Sequence, residues 1–473
     1  MKKNIYILNL FVLPVFMVAQ SASVKKAAKY YNNYDYSHVI DKVANKSDIK
    51  TDIIRELAES YKMVGDYKNA EINYAKVASA SDKTPDDVYA YAQILKTNSK
   101  YNEAVTQLDT YNSLKTNDSR IALYNSNKQY FAELLKDNGQ FSIKDLEINS
   151  AQQDFGPAYY KNDVVYVSSK HDVGAVFRVW TGNKLPYLDL YTAKKDASNE
   201  LKDAKKLSKL NKKYHEGPAC YNKEGNVMLF TSDNYSAKSK DGIRKLQLFE
   251  TKLNKDGKWS DNVPFPYNNN EYSCGHPALT ADGNTLYFSS DMPGGKGGVD
   301  IYKTIRGIDG NWTKPENLGD KINTEGNEVF PFIHESGLFF FSSDGRPGLG
   351  GLDVFATEIK NNNINKVINV GSPINSSKDD FTMVLDAEKK KGYFASNREG
   401  GKGDDDIYSF DLLKPFVFGK TIKGTAKDKE GNILANICII DDAGVIGYPE
   451  NNLIPASMTP KESAMFPSIN TIS

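Results

Sequence analysis

The residues able to do chemistry in this 473-residue chain are few and scattered. Its five histidines, His38, His171, His215, His276 and His334, include no pair at the helical spacing that brings two imidazoles to one metal. His215 and His276 stand three and one residues before Pro218 and Pro277, next to equivalent strand starts, so they could face one mouth of a common scaffold. The plainer alternative is a turn or strand-start residue bonded to backbone. Three Gly-rich loops ending in Asp, 294–300, 348–353 and 400–406, could hold a phosphate or Ca²⁺ through backbone groups and carboxylates. They recur between the same two strands, however, where Gly permits a positive φ and Asp bonds to neighbouring backbone. The run Asp404-Asp405-Asp406 is the remaining cation candidate, weighed against the need of Ca²⁺ for several converging oxygens. Neither a Gly-x-Ser-x-Gly elbow nor a phosphate-cradling Gly-x-x-x-x-Gly-Lys-Ser/Thr loop is present. The expectation is a non-enzyme, with no catalytic, cofactor-binding or metal-ligating residue and no cofactor.

Bulk properties agree. Sixty Lys plus Arg balance 60 Asp plus Glu, which removes the electrostatic drive for nucleic-acid binding. Lys2 and Lys3 precede an apolar run from Ile5 to Ala19 that is too short to span a bilayer and is broken by Pro14. Residues 1–19 are therefore expected to be a secretory signal peptide, with the mature chain exported to the periplasm or the outer-membrane periphery and holding no transmembrane helix. Cys220, Cys274 and Cys438 are odd in number and widely spaced, so packed cores rather than disulfides must supply stability.

Two repeats must position whatever functional groups exist. Ala58, Tyr61, Gly65, Tyr67, Ala70 and Tyr74 are followed by Ala92, Leu95, Ser99, Tyr101, Ala104 and Leu108, each pair 34 apart. This is the length and the small/large pattern of tetratricopeptide repeats, helix pairs in which Ala allows close approach. Asp35-Tyr36 reads as an earlier copy, Pro85 as the start of the next unit, and 120–135 as a capping helix. Such stacks expose a groove for protein or peptide; the alternative is a packing spacer.

After Gly139 the period becomes that of strands. Runs ending in small residues, 164–169, 227–232, 286–290, 339–343 and 392–396, are each followed by a second strand. The polar second position of that strand advances from Gln247 to Asp300, Asp353 and Asp406 in steps of 53. Pro157, Pro218, Pro277, Pro331 and Met383 precede the runs, 12 to 14 residues before the last Ser. Units of this length built of short strands predict a β-propeller, with five blades rather than six. Ile148-Asn149-Ser150, Ile322-Asn323-Thr324 and Ile374-Asn375-Ser376 stand seven residues before Pro157, Pro331 and Met383 and read as outer-strand elements. The fifth unit lacks its own outer strand, so residues 141–149 are expected to supply it and close the ring.

Ser289-Ser290-Asp291, the segment 294–302, and Trp312 with Pro315, Asn317, Leu318, Gly319, Ile322, Asn323 and Thr324 resemble the propeller repeats of TolB and of OmpA-family envelope proteins of Bacteroidetes. In those proteins tetratricopeptide repeats, a propeller, a carboxypeptidase-regulatory-like β-sandwich and an OmpA-like peptidoglycan-binding domain follow in order, and one member is a peptidoglycan-associated component of type IX secretion. The resemblance implies helical repeats over residues 24–136, a propeller over 141–413, a partial sandwich over 416–448 and a loose or truncated tail over 449–473. The 58 residues from Phe416 onward are expected to be too few for that sandwich plus an OmpA-like domain, so peptidoglycan association is expected only through other envelope proteins. The functional expectation is a noncatalytic envelope scaffold that binds protein partners through the helical groove and the propeller face. The alternative is a secreted or periplasmic propeller that binds or processes a glycan or peptide in its central cleft. Carboxylates or His converging in the channel would favour the latter; a Tyr-rich or apolar rim would favour the former.

Overall fold

The structure, a computed structural model, describes residues 12–47, 49–171 and 178–418, together with the backbone of three strands between residues 421 and 447. The chain divides into two units, residues 1–415 and 416–473. Residues 1–11 of the expected signal peptide and the expected tail at 449–473 lie outside the described residues.

Among the described residues, eight helices open the first unit: α1 (Val12–Asn32), α2 (Tyr36–Val43), α3 (Thr51–Met63), α4 (Tyr67–Ser79), α5 (Pro85–Thr97), α6 (Tyr101–Leu114), α7 (Ser119–Ser126) and α8 (Tyr130–Leu134). The repeat reads into their boundaries: Tyr67 and Tyr101, 34 apart, are the first residues of α4 and α6, and Tyr36 of the shorter copy, 31 before Tyr67, is the first of α2. Thr84 caps α5 reciprocally: its hydroxyl accepts from the Asp87 N–H at 3.3 Å, and the Asp87 carboxylate accepts from the Thr84 N–H at 2.7 Å. Pro85 takes the first helical position, where no N–H is needed. Ala58, Ala70, Ala92 and Ala104 are fully buried, and a larger side chain there would force neighbouring helices apart. The single helix expected over 120–135 is two, α7 and α8. Asn127 breaks it, because its side-chain oxygen accepts from the Gln129 N–H at 3.2 Å and competes with helix continuation.

The propeller has five antiparallel blades. Their inner strands are Asp154–Tyr160, Glu216–Tyr221, Cys274–Leu279, Glu328–Ile333 and Asp380–Leu385. Each pairs with one of the apolar runs, which pairs in turn with the strand led by Asp189, Leu246, Asp300, Asp353 or Asp406. Phe141–Asp145 forms the outermost strand of blade 5, antiparallel to Asp406–Leu412 with Phe141 opposite Leu412 and Asp145 opposite Tyr408. The ring therefore closes between its two ends without an open edge at that seam.

The Ile-Asn-Ser/Thr triplets are not outer strands. They are loops leading into inner strands, and their Asn side chains imitate a strand. The amides of Asn149, Asn323 and Asn375 accept from the N–H and donate to the C=O of Ile407, Ile301 and Val354, at 2.8–3.0 Å. Asn211 and Asn268 clamp Leu190 and Leu248 in the same way. A buried acid or Cys274 begins every inner strand, and in blades 4 and 5 the acid ties that loop to the neighbouring apolar strand. Glu328 accepts from the Thr324 N–H and hydroxyl, both at 2.7 Å, and from the Ser343 hydroxyl at 2.6 Å. Asp380 does so with Ser376 and Ser396.

The second unit holds a three-stranded antiparallel sheet, Thr421–Lys427, Ile433–Ile440 and Ile446–Gly447. Its hairpin pairs Thr421 with Ile440 through Lys427 with Ile433. The side chain of Cys438 lies outside the described residues.

Candidate functional site

The inner strands surround a central cavity of about 610 Å³. It opens at the end of the ring where the first hairpin of each blade turns, and Lys161, Asn222, Lys223, Glu335, Asp386 and Glu388 stand at that mouth. Deeper, Tyr159, Tyr160, Tyr221 and Phe332 line the wall. Each inner strand breaks register near its start, after two residues in four blades and after Glu216 alone in blade 2, which turns side chains into the channel and forms a neck. Gly156, His276, Phe330 and Thr382 occupy equivalent neck positions in the left-handed region, with φ of 64°, 51°, 52° and 53°. Blade 2 places Pro218 there, one position earlier in register than Pro157, Pro277 and Pro331, because a proline ring forbids positive φ. Gly156 is required by crowding as well, since a Cβ would come within 2.9 Å of Pro218. His276 stacks on Phe330 with centroids 3.8 Å apart, and Phe330, Phe381 and Phe155 continue the cluster at 5.1 and 5.7 Å. Burial pushes the His276 imidazole down to about 3, so it is neutral at physiological pH, and its Nδ1 is buried without a partner.

The carboxylates lining this cavity sit at its mouth. Glu335 pairs with Lys223 at 2.8 Å, which holds it below its ordinary range, and Asp386 accepts from the Lys390 and Lys391 N–H groups at 2.8 and 3.2 Å. His334 also lies there, its Nδ1 accepting from the Ser336 N–H at 3.0 Å and its Nε2 donating to the Asp386 carbonyl at 3.0 Å. Of the two histidines expected to share a mouth, only His276 lines the cavity. His215 lies between blades, where its Nδ1 accepts from the Leu188 N–H at 3.1 Å and burial lowers it to about 4. His38 is a half-buried helical residue bonded to Asp35, and His171 is exposed.

The Gly-rich loops close on their own carboxylates. Asp300 accepts from the Lys296 and Gly297 N–H groups, Asp353 from Leu349 and Gly350, and Asp406 from Gly403, at 2.5–3.3 Å. Asp404 and Asp405 share the Gln153 amide at 3.1 and 3.0 Å instead of converging with Asp406. Burial raises both, strongly for Asp405. Cys274 is buried and Cys220 half-buried, and burial pushes both thiols up to about 12.

The opposite face of the propeller carries the helices. Tyr89 and Gln93 on α5 donate to the Asp344 carbonyl at 3.0 and 2.6 Å, and Lys96 to the Gly348 carbonyl at 3.4 Å. Lys378 donates to Thr97 O at 3.0 Å, and Asn397 to the Tyr67 hydroxyl at 3.1 Å. Leu349, from the Gly-rich loop of blade 4, is 1% exposed and packs among Ala92, Leu108, Tyr124, Tyr130 and Phe131. One face of α5 is therefore occupied by the chain's own propeller, as a packing spacer would be. Sequence reasoning missed this use of Leu349 because the loop reads only as a turn.

Comparison with known proteins agrees with this architecture. Residues 63–133 match the family described as anaphase-promoting complex, cyclosome, subunit 3, a tetratricopeptide-type match that spans α4 to α8. Among solved structures the chain is similar to the alpha-L-arabinofuranosidase from Lactobacillus brevis at 11% identity, over 60% of this chain and 94% of that one, with a TM-score of 0.36. It is similar to Zg3597, a family 117 glycoside hydrolase of the marine bacterium Zobellia galactanivorans, at 14% identity over 57% and 90%, with a TM-score of 0.37. Puromycin hydrolase matches at 10% identity over 66% and 61%, with a TM-score of 0.31. Likenesses this distant carry no argument about activity. No curated protein matches the chain. Helical tetratricopeptide repeats followed by a five-bladed propeller define the class, and such repeats are a protein-interaction architecture.

Proposed function

We propose that the chain is a noncatalytic scaffold of the cell envelope, exported to the periplasm or the outer-membrane periphery, where its helical repeats and propeller hold protein partners. The resemblance of its repeats to those of OmpA-family Bacteroidetes proteins supports placement in an outer-membrane or type IX secretion assembly, with peptidoglycan reached through other proteins. The observation that carries the reading is the channel neck. Its converging residues are Gly156, Pro218, His276, Phe330 and Thr382, a set without a carboxylate whose polar groups are one neutral imidazole and the Thr382 hydroxyl, which accepts from the Gly156 N–H at 3.4 Å. Glycoside hydrolysis requires two carboxylates flanking the bond, and the acids lining this cavity are held at the mouth in ion pairs and turns. α4 touches the propeller through the Tyr67 hydroxyl, while Tyr34, Met63 and Ile72 of the helical repeats are exposed.

The test joins two measurements on the full chain. Photocrosslinkers placed at Met63 and Ile72 should capture discrete envelope proteins in intact cells, and a panel of aryl glycosides and peptidyl amides should show no turnover. Turnover that disappears in His276→Ala would sink the proposal and establish the cavity as a processing site.

A further inference from the structure

The propeller face that carries the helices is used unequally. The helices' hydrogen bonds reach Glu325, Asp344, Gly348, Lys378 and Asn397, all in blades 4 and 5 or the segments leading into them. On the same face, the loops joining the second and third strands span nine residues in blades 3, 4 and 5 (291–299, 344–352, 397–405) but lengthen to 234–245 in blade 2 and 169–188 in blade 1. The described parts of these longer loops, with segment 207–215, build an aromatic cluster that the blade repeat does not require. Trp180 lies edge-on to His215 at 5.3 Å, Tyr187 meets His215 at 4.6 Å and Tyr214 at 5.9 Å, and Tyr214 stacks with Tyr235 at 6.1 Å. The Arg244 guanidinium lies 4.4 Å from the Tyr214 centroid, and Lys213 is 5.1 Å away.

Charge separates this half of the face from a chain that is neutral overall. Residues 178–188, 207–215 and 234–245 carry nine Lys and Arg against one carboxylate, Asp241. The other acids facing the patch are engaged or buried. Glu271 accepts from the Lys240 N–H, Asp291 pairs with Lys245 at 3.2 Å, and Glu216 accepts from the Tyr235 hydroxyl beneath the cluster. Trp, Tyr and Arg are the residue types that dominate the energetic centres of protein interfaces, and a basic field steers and selects an acidic partner.

We propose that residues 178–188, 207–215 and 234–245, centred on Tyr214 and Arg244, form a docking surface for an acidic protein segment. Half-buried rings give such a segment preorganised apolar contact, and Lys184, Lys212, Lys213 and Arg244 give it charge complementarity. A protein segment can lie beside the helices that stand on this face, whereas a flat bilayer would meet those helices. The inference rests on the scaffold reading and narrows it to one surface and one partner chemistry.

The experiment uses the full chain and a fluorescent synthetic peptide of repeated Glu-Asp-Tyr triplets, with phosphatidylglycerol vesicles and polyphosphate as competing probes. The peptide should bind in a salt-sensitive manner and alter Trp emission, and Arg244→Glu or Lys213→Glu should each weaken it at least about tenfold. Lys366→Glu, on a distant exposed loop of blade 4, should leave it unchanged. Lys213 is exposed, so its variant keeps the test valid if Arg244→Glu fails to fold. No peptide binding, equal loss in Lys366→Glu, or tighter binding of vesicles or polyphosphate than of peptide would overturn the proposal. Capture of envelope proteins at Met63 and Ile72 that persists in Lys213→Glu alongside a failed peptide assay would remove this surface and leave the scaffold reading standing.

Discussion

Glu216 shows how a single buried carboxyl can make this fold sensitive to pH. Burial raises it to about 8, from an ordinary value of 4.5, and the Tyr235 hydroxyl contact is not enough to reverse that. The folded state therefore holds its proton more tightly than the unfolded chain. Its stabilisation is complete below the unfolded value and is lost as pH rises through 8. Burial also raises Glu328 and Asp353 to about 7, which adds to the same limb. His215 and His276 act oppositely, since their lowered values of about 4 and 3 withdraw stability as pH falls below 6.5. Glu216→Gln should flatten the loss of unfolding free energy between pH 6 and pH 9, followed by urea titration with Trp fluorescence. An unaltered slope would show that Glu216 is ionised in the folded protein.

At the scale of elements, the seam strand Phe141–Asp145 carries the closure of the ring. The Leu413 N–H donates to Gln140 O at 2.8 Å and the Leu146 N–H to Ile407 O at 3.3 Å, so in this antiparallel register Ser142 and Lys144 direct their N–H groups at the neighbouring strand. Ser142 is exposed, so Ser142→Pro removes a ladder donor while disturbing little packing. It should destabilise the propeller by about 2–3 kcal/mol and raise amide exchange across Asp406–Leu412 more than across blade 3. Uniform exchange through all five blades would mean that the seam does not limit opening. The clamps of Asn149, Asn211, Asn268, Asn323 and Asn375 explain how loops without strand pattern still hold each blade to the next.

At the scale of the molecule, Leu349 joins two architectures into one unit. Its side chain fills a cluster made by α5 to α8, and burying a carboxylate there would leave an unpaired charge among apolar groups. Leu349→Asp should convert a single calorimetric transition into two, with the helices melting first and the propeller near its original temperature. A single transition at an unchanged temperature would show that the polar contacts at Asp344 and Gly348 suffice to couple the halves.

The elements themselves were legible from the chain, because helices and strands advertise their buried faces with local periods. The 34-residue spacing located Tyr67 and Tyr101 at helix starts, the shorter copy 31 residues earlier located Tyr36, and the missing outer strand of the fifth unit pointed to residues near Phe141. The candidate site was legible only in part. His276 was singled out by its place before Pro277, but its stacking on Phe330 and the neck around it depend on five inner strands meeting at one axis. Asn211 and Asn268 escaped notice because their neighbours do not spell the triplet found at Asn149, and a clamp is defined by the strand it reaches. The docking of α5 on blade 4 was equally invisible, since Tyr89 and Asp344 are 255 residues apart and neither segment shows a period that encodes the other. Local pattern decides what a segment becomes. Which side chains converge on a channel or an interface is decided by closure of the ring, a global constraint that no single window of sequence contains.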